Sequence, residues 1–274
     1  MFLSQLGDYK GHLWSAEVTD LTVEAAQFRQ HPDMDFRSTV ARAIVRGKLW
    51  NSRLLLIKLN RRRRNEHVQR AIDSLWTDIE RLKSSDLKLS LNTLRGYEGS
   101  GALRYFKSFG RLITNPGFEW QRREFHPPTD SINAMLSFGY TLLLNNVLSM
   151  LFVEGLNPYL GNLHGAERKK AYLAFDLMEE FRSPVVDTLV MRLINQKIIR
   201  PTDFSWPNQK GGVYITGPAK RLFLNQFEQR MSLKISHPDV KKPVTYRRVI
   251  QLQVQRYKQT LLSGQTYQPY ERIV

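Results

Sequence analysis

Residues 131–153 run for 23 positions without a charge, and whatever this chain folds into must first find a place for that segment. As a helix, at ~1.5 Å per residue, it is long enough to span a bilayer. Its content argues otherwise. Asn133, Ser137, Thr141, Asn145, Asn146 and Ser149 interrupt it, and an asparagine pair near the centre of a span would have no water to bond. The expectation is a central helix, apolar on most faces because it is packed on most faces, with no membrane as partner. Nor does the chain open on a signal peptide, since Met1 is followed at once by Phe2-Leu3 with no basic run.

A core for such a helix is available. Of 274 residues, 42% are hydrophobic and 11% aromatic, enough for one large domain or two modest ones at roughly 150 residues per domain. Residues 1–18 read as a small β-hairpin, with Phe2-Leu3 and His12-Leu13-Trp14 flanking the turn formers Gly7-Asp8 and Gly11. From Thr22 the pattern turns helical: around Ala25-Ala26-Gln27-Phe28, over residues 36–59, and over 68–82, where Val68, Ile72, Leu75, Ile79 and Leu82 recur at helical spacing. A further helix is expected over about 102–109, then loops at Asn115-Pro116-Gly117 and Pro127-Pro128, then the central helix from Asp130. After a Gly/Pro loop at 155–165 a helix is expected over 167–182. A restart follows at Ser183-Pro184, Ser as cap and Pro at the first helical position. Residues 211–216 read as a short strand and 245–262 as a last, basic helix. The fold class expected is mainly α, with residues 1–20 a small, incomplete β-rich segment and 21–274 a large helical domain.

Charge narrows the partners. The chain carries 41 Lys and Arg against 25 Asp and Glu, a formal net charge of +16. Residues 1–90 hold 16 basic and 11 acidic groups, 91–199 hold 12 and 10, and 200–274 hold 13 and 4. Basic flanks around a nearly neutral middle suit a polyanion, because each Lys or Arg set on a phosphate releases condensed counterions; a solvated basic exterior is the other reading. No cysteine is present, which excludes a disulfide framework, a thiolate metal site and a Cys nucleophile, and suits a reducing cytosol.

The neutral middle holds the residues that could do chemistry. There is no H-E-x-x-H, and Gly212-x-x-x-x-Gly217 continues into Pro218-Ala219 where a phosphate loop needs Lys and Ser or Thr, so this reads as a strand turn. Asp176 and Glu179, three apart, leave one face of an otherwise apolar helix. That face can be a site or an acidic surface patch with Arg182 pairing Glu179. His164 lies in the loop before that helix, and Glu98 lies in Gly96-Tyr97-Glu98-Gly99-Ser100-Gly101, read as a glycine loop opening the next helix. Each also has a plain reading, as a hydrogen-bonded loop histidine and as an acid favouring a helix N-terminus. One imidazole and two or three carboxylates from three segments would make a site suited to Mg²⁺ or Mn²⁺.

Four blocks in order, Glu98-Gly99-Ser100-Gly101-Ala102-Leu103-Arg104-Tyr105-Phe106, Pro127-Pro128-Thr129-Asp130-Ser131-Ile132-Asn133-Ala134-Met135-Leu136-Ser137-Phe138-Gly139-Tyr140, Gly155-Leu156-Asn157-Pro158-Tyr159-Leu160-Gly161-Asn162-Leu163-His164 and Leu173-Ala174-Phe175-Asp176-Leu177-Met178-Glu179-Glu180-Phe181-Arg182, closely resemble the CRISPR-associated spacer-acquisition integrases, the Cas-one family. Ala41-Arg42-Ala43-Ile44-Val45-Arg46-Gly47-Lys48-Leu49-Trp50-Asn51 also resembles that family's first helical segment. The resemblance covers almost the whole chain, beginning late in the family's β-rich domain near Phe2-Leu3-Ser4. Ser131 stands where the family often has proline.

The resemblance implies a prokaryotic, cytoplasmic endonuclease and integrase that inserts DNA fragments into a CRISPR array. Glu98, His164 and Glu179 would be metal ligands and Asp176 an auxiliary carboxylate. It implies Mg²⁺ or Mn²⁺ as cofactor, double-stranded DNA with 3′-hydroxyl ends as substrate, a homodimer, and a heterohexamer with a small ferredoxin-like CRISPR-associated protein. For DNA contact the residues singled out are Arg61, Arg62, Arg63 and Arg64, which close a stretch (37–64) without any acid, then Arg168 and Lys169 between His164 and Asp176, and Arg247 and Arg248 on the last helix. The alternative is a non-catalytic basic scaffold that binds nucleic acid.

Overall fold

The computed structural model of the chain describes residues 2–4, 9–11, 21–84, 88–124, 127–165, 170–205 and 211–273. Two short strands, β1 (Phe2–Leu3) and β2 (Tyr9–Gly11), pair antiparallel. Helices α1 (Leu21–Gln30), α2 (Met34–Asn60), α3 (Glu66–Lys83), α4 (Leu91–Arg111) and α5 (Ser131–Val153) follow. Next come α6 (Tyr172–Met178) and α7 (Thr188–Asn195), then strands β3 (Phe204–Ser205) and β4 (Tyr214–Ile215), paired antiparallel. The chain continues through α8 (Gly217–Met231), the hairpin β5 (Lys234–His237) and β6 (Val240–Thr245), and α9 (Tyr246–Ser263). The fold is mainly α, as expected.

Most helices start where the side chains provide a cap. Asp33, Asn65, Asp130 and Thr245 each accept backbone N–H groups of the first turn of α2, α3, α5 and α9. Val68, Ile72, Leu75, Ile79 and Leu82 of α3 are all buried, and α2 packs its buried face on both α3 and α4. Helix α5 lies in the core against α6 and α9. It is long and apolar enough to cross a membrane by length and composition alone, but its polar groups are answered inside the protein. Fully buried Asn133 accepts from Arg123 and the Glu124 N–H, and donates to Arg122 O and Asp130.

The structure departs from the sequence reading in several places. Helix α4 begins at Leu91, not near 102, so Glu98 sits within a helix and not in a glycine loop. Ser90 caps it through the Thr93 N–H at 3.1 Å, and Leu91 and Leu94 are buried. Packing on α2 and α3 offsets helical glycines that cost about 1 kcal/mol each relative to Ala. Gly101 has a packing reason as well, since a Cβ there would collide with Leu49 Cδ2 of α2.

The expected break at Ser183-Pro184 is absent: residues 172–195 form one helical run through a 3₁₀ turn (Glu179–Phe181) and a π-helical segment (Arg182–Asp187). Proline has no N–H to give to a carbonyl of the preceding turn, and the wider π register absorbs it. The expected start of this run at 167 lies outside the described residues.

Gly217-Pro218 opens α8 and is not a strand turn. This helix was not expected, although Ala219, Phe223, Phe227 and Met231 form its buried stripe at helical spacing. The expected strand 211–216 shrinks to β4 because Gly211 and Gly212 take φ of +67° and +97°, outside strand geometry. At the start of the chain the second strand is β2, so Gly11 is a strand residue; the expected strand at 12–14 lies outside the described residues. Beyond α9 the described residues 264–273 have no regular structure, yet Tyr267 and Tyr270 are buried against the helical run.

Candidate functional site

Four elements meet at the site. Helix α2 supplies Lys48, α4 supplies Glu98, the loop after α5 supplies His164, and the run from α6 into its 3₁₀ turn supplies Asp176 and Glu179. The Lys48 ammonium hydrogen-bonds Glu98 Oε1 and lies 2.6 Å from Glu179 Oε2. Lys48 and Glu179 are buried, while Glu98 is partly exposed. The two glutamates thus converge on one cation.

Glu179 has a second partner: Arg182 approaches its Oε1 at 3.1 Å. The sequence spacing foresaw this pair, but as a surface pair; here both residues are largely enclosed. Burial pushes the Glu179 carboxyl up, and the positive charges of Arg182 and then Lys48 more than offset this, holding it below the ordinary carboxylate range. Arg182 also lies 4.7 Å over the Tyr140 ring. Tyr140 and Tyr105 donate to the two oxygens of buried Asp187 at 2.5 and 2.7 Å, so this second carboxylate is engaged away from the glutamates.

Asp176 faces the histidine loop. Its side chain is completely buried and accepts the backbone N–H groups of Asn162, Leu163 and His164 at 2.6, 2.9 and 3.2 Å. Its Oδ1 lies 2.5 Å from His164 Nδ1, so Nδ1 carries the proton toward the carboxylate, and in the neutral ring Nε2 keeps its lone pair. From the other side Arg95 of α4, one turn before Glu98, donates to Leu163 O at 2.8 Å. The loop carrying His164 is held by both helices that carry the acids. Burial alone would lower the His164 pKa; the Asp176 hydrogen bond and the charges of Asp176, Glu179 and Glu98 outweigh it and raise it.

Gly161 makes this fit possible. A Cβ there would stand 2.6 Å from Tyr172 Cβ and 3.1 Å from Asp176 Oδ2.

Among the described residues no three His, Asp or Glu side chains are already gathered closely enough to hold a metal ion; between the two glutamates stands Lys48. The donor set nevertheless suits a hard divalent cation. Glu179 Oε2 is buried and makes no well-directed hydrogen bond, Glu98 lies across the ammonium from it, and His164 has one nitrogen fixed and one available.

The expected DNA contacts divide. Arg61, Arg62 and Arg64 are exposed at the end of α2, whereas Arg63 turns inward and donates to Leu112 O. Arg248 is exposed. Arg247 is partly exposed, pairs with both oxygens of Glu228 at 3.1 and 2.8 Å and donates to Asn146. Arg168 and Lys169 lie outside the described residues.

In the sequence Lys48 belongs to the acid-free stretch 37–64 and to the family-like segment 41–51, with no role of its own. Its signal was present: it falls between Gly47 and Leu49, on the buried face of α2. Glu180 was also unforeseen. Fully buried, it accepts from Gln253, Tyr267 and the Tyr270 N–H, and burial pushes its pKa up to about 7 against those donors.

The same fold occurs in other solved structures. A casposase bound to integration product superposes with a TM-score of 0.82 at 26% identity, covering 99% of this chain and 76% of that one. A CAS1 protein from Thermotoga maritima shares the fold with a TM-score of 0.79 at 24% identity, over 98% and 80% of the two chains. Taken with the relatives described next, the fold places the chain in the class of nucleases and integrases.

Sequence comparison makes this specific. The profile of the family described as CRISPR associated protein Cas1 matches residues 1–229. The CRISPR-associated endonuclease Cas1 of Leptospira interrogans is 34% identical over 252 residues, 89% of this chain and 97% of the relative. A Cas1 endonuclease of Thermus thermophilus is 37% identical over 232 residues, 84% and 68% of the two chains. The chain belongs to the Cas1 family of CRISPR-associated endonucleases. A non-catalytic scaffold is not favoured by these relatives.

Proposed function

We propose that this protein nicks DNA and joins DNA 3′-hydroxyl ends into a CRISPR array, with Glu98, His164 and Glu179 holding Mg²⁺ or Mn²⁺. The observation that carries the reading is the convergence of Glu98 and Glu179 on a single cation, with the imidazole of His164 set beside them by Asp176.

The bound metal ion would supply charge to polarise the scissile phosphate. The chain's own residues prepare for that. Asp176 holds the His164 Nδ1 proton and fixes the ring, and Arg182 keeps Glu179 ionised although it is buried. Arg61, Arg62, Arg64 and Arg248 are placed to hold the phosphate backbone. With a 3′-hydroxyl as nucleophile, one P–O bond forms to the incoming oxygen and one breaks to the departing 3′ oxygen, while the hydroxyl proton passes to solvent and the departing oxygen takes one up from it. The number of phosphodiesters is conserved, so no energy-rich co-reactant is required. With water as nucleophile the outcome is a nick.

In this reading residues 1–20 belong to a β-rich segment and 21–274 to the catalytic domain. The protein acts as a homodimer on double-stranded DNA, in a heterohexamer with a small ferredoxin-like CRISPR-associated protein; family membership supports that assembly.

The test is strand transfer of a short duplex with free 3′-hydroxyls into supercoiled DNA, with Mn²⁺, Mg²⁺ or EDTA. Wild type should give metal-dependent nicked and joined product. Glu98→Ala, His164→Ala and Glu179→Ala should each lose it while retaining salt-sensitive DNA binding. Full activity in any of the three would remove that residue from the site.

A further inference from the structure

Lys48 is the only buried lysine among the described residues, and it is buried against the acids proposed above as metal ligands. Its neighbours on α2, Gly47 and Leu49, are also buried. The stem is therefore packed in place while the ammonium reaches the site, touching Glu98 on α4 and Glu179 on the 3₁₀ turn. These two carboxylates come from different elements and carry like charge. Without a cation between them they would repel, and buried Glu179 would lose one of the positive groups that balance it.

The oxygens that Lys48 contacts, Glu98 Oε1 and Glu179 Oε2, belong to the two glutamates that the proposed function assigns to the metal. An ammonium and a divalent cation repel each other and cannot share those lone pairs. The ammonium can turn aside about the last bonds of its packed stem, whereas Arg182 is also engaged over the Tyr140 ring.

We infer that Lys48 is a positioning residue that stands in for the metal: its ammonium holds Glu98 and Glu179 together before a divalent cation arrives, and is displaced when one enters. Metal affinity is then the outcome of a competition that Lys48 weakens. This rests on the proposed metal-ligand role of Glu98 and Glu179.

The test measures Mn²⁺ binding to the purified full chain without DNA, from the paramagnetic resonance signal of free Mn²⁺, at one fixed pH. Lys48→Met keeps the stem and removes the charge. It should bind Mn²⁺ roughly tenfold more tightly than wild type, and in EDTA it should melt at a lower temperature. Lys48→Arg, whose fork can hold both carboxylates, should bind about threefold or more weakly. A lysine that only braces the fold would give the opposite result for Lys48→Met, namely weaker metal binding. Unchanged or weaker binding by Lys48→Met overturns the inference. Should that variant fail to fold, unchanged or tighter binding by Lys48→Arg overturns it instead. Wild type that binds no Mn²⁺ would fail the metal reading itself, a result distinct from either.

Discussion

Asp176 holds His164 twice, accepting the backbone N–H at 3.2 Å and lying 2.5 Å from the ring Nδ1, both on the same carboxylate oxygen. The other oxygen takes the N–H groups of Asn162 and Leu163. One buried side chain therefore sets the path of a loop and the direction of an imidazole. The family resemblance implies an auxiliary carboxylate at Asp176; in the proposed site its contacts are those of a group that orients the histidine.

Replacing Asp176 by Asn should accordingly leave a folded protein with a poorly directed His164. Changes behind a metal-ligating histidine cost roughly 10- to 100-fold in affinity or activity. We expect a loss of that size in Mn²⁺ binding and strand transfer, with a near-native circular dichroism spectrum. Unaltered metal binding and transfer would show that the Asp176 contact does not set the ring.

Gly161→Ala tests the same loop by sterics. The added methyl would meet the Tyr172 Cβ and the Asp176 carboxylate, neither of which can move without disturbing the run that carries Glu179. A destabilisation of about 1–3 kcal/mol is expected, read by denaturant unfolding, together with reduced strand transfer. Wild-type stability and activity would contradict this packing.

Charge reversal at Arg61, Arg62 and Arg64 should weaken DNA binding and flatten its salt dependence by roughly 0.9 in slope for each phosphate left without its arginine. Arg63 is left out because it already donates to Leu112 O. Binding titrations across salt concentrations decide the matter, and an unchanged slope would take the end of α2 off the DNA path.

Glu180 makes a pH prediction. Its pKa is about 7 in the fold against an ordinary value of 4.5, so between these values the folded state binds more protons than the unfolded one. Its contribution is fully present below about 4.5 and is lost as pH rises through about 7, a change on the order of 3 kcal/mol. Glu180→Gln does not titrate, and the Tyr267 hydroxyl that donates to Glu180 can turn to accept from the amide. The stability difference, wild type minus variant, should fall across that interval when melting is followed in EDTA. Parallel pH profiles would refute the assignment.

Much of the fold was legible because its cues are local. The stripe of α3, the Asp130 cap and uncharged length of α5, and the Thr245 cap of α9 each lie within a few residues of the structure they direct. Helix α8 had an equally local stripe, masked by Gly217-Pro218 at its start. Helix α4 was cut short because Gly96, Gly99 and Gly101 read as a loop, and only contact with Leu49 explains Gly101.

The sequence by itself determined which side chains the site could draw on: Glu98, His164, Asp176 and Glu179 stand out as acids and an imidazole in a nearly neutral middle, and their blocks carry the family resemblance. It also determined that residues 131–153 would be a core helix. Only the tertiary structure decided that Asp176 serves the histidine loop while Glu179 turns to Lys48, that Arg247 is tied to Glu228, and that Glu180 binds the chain's last segment. The reason is physical. Helix periodicity and capping act between residues a few positions apart, whereas the pairs of Lys48 with Glu98 and Glu179 join residues far apart in the chain and form only when α2, α4 and the run from 172 to 195 pack together.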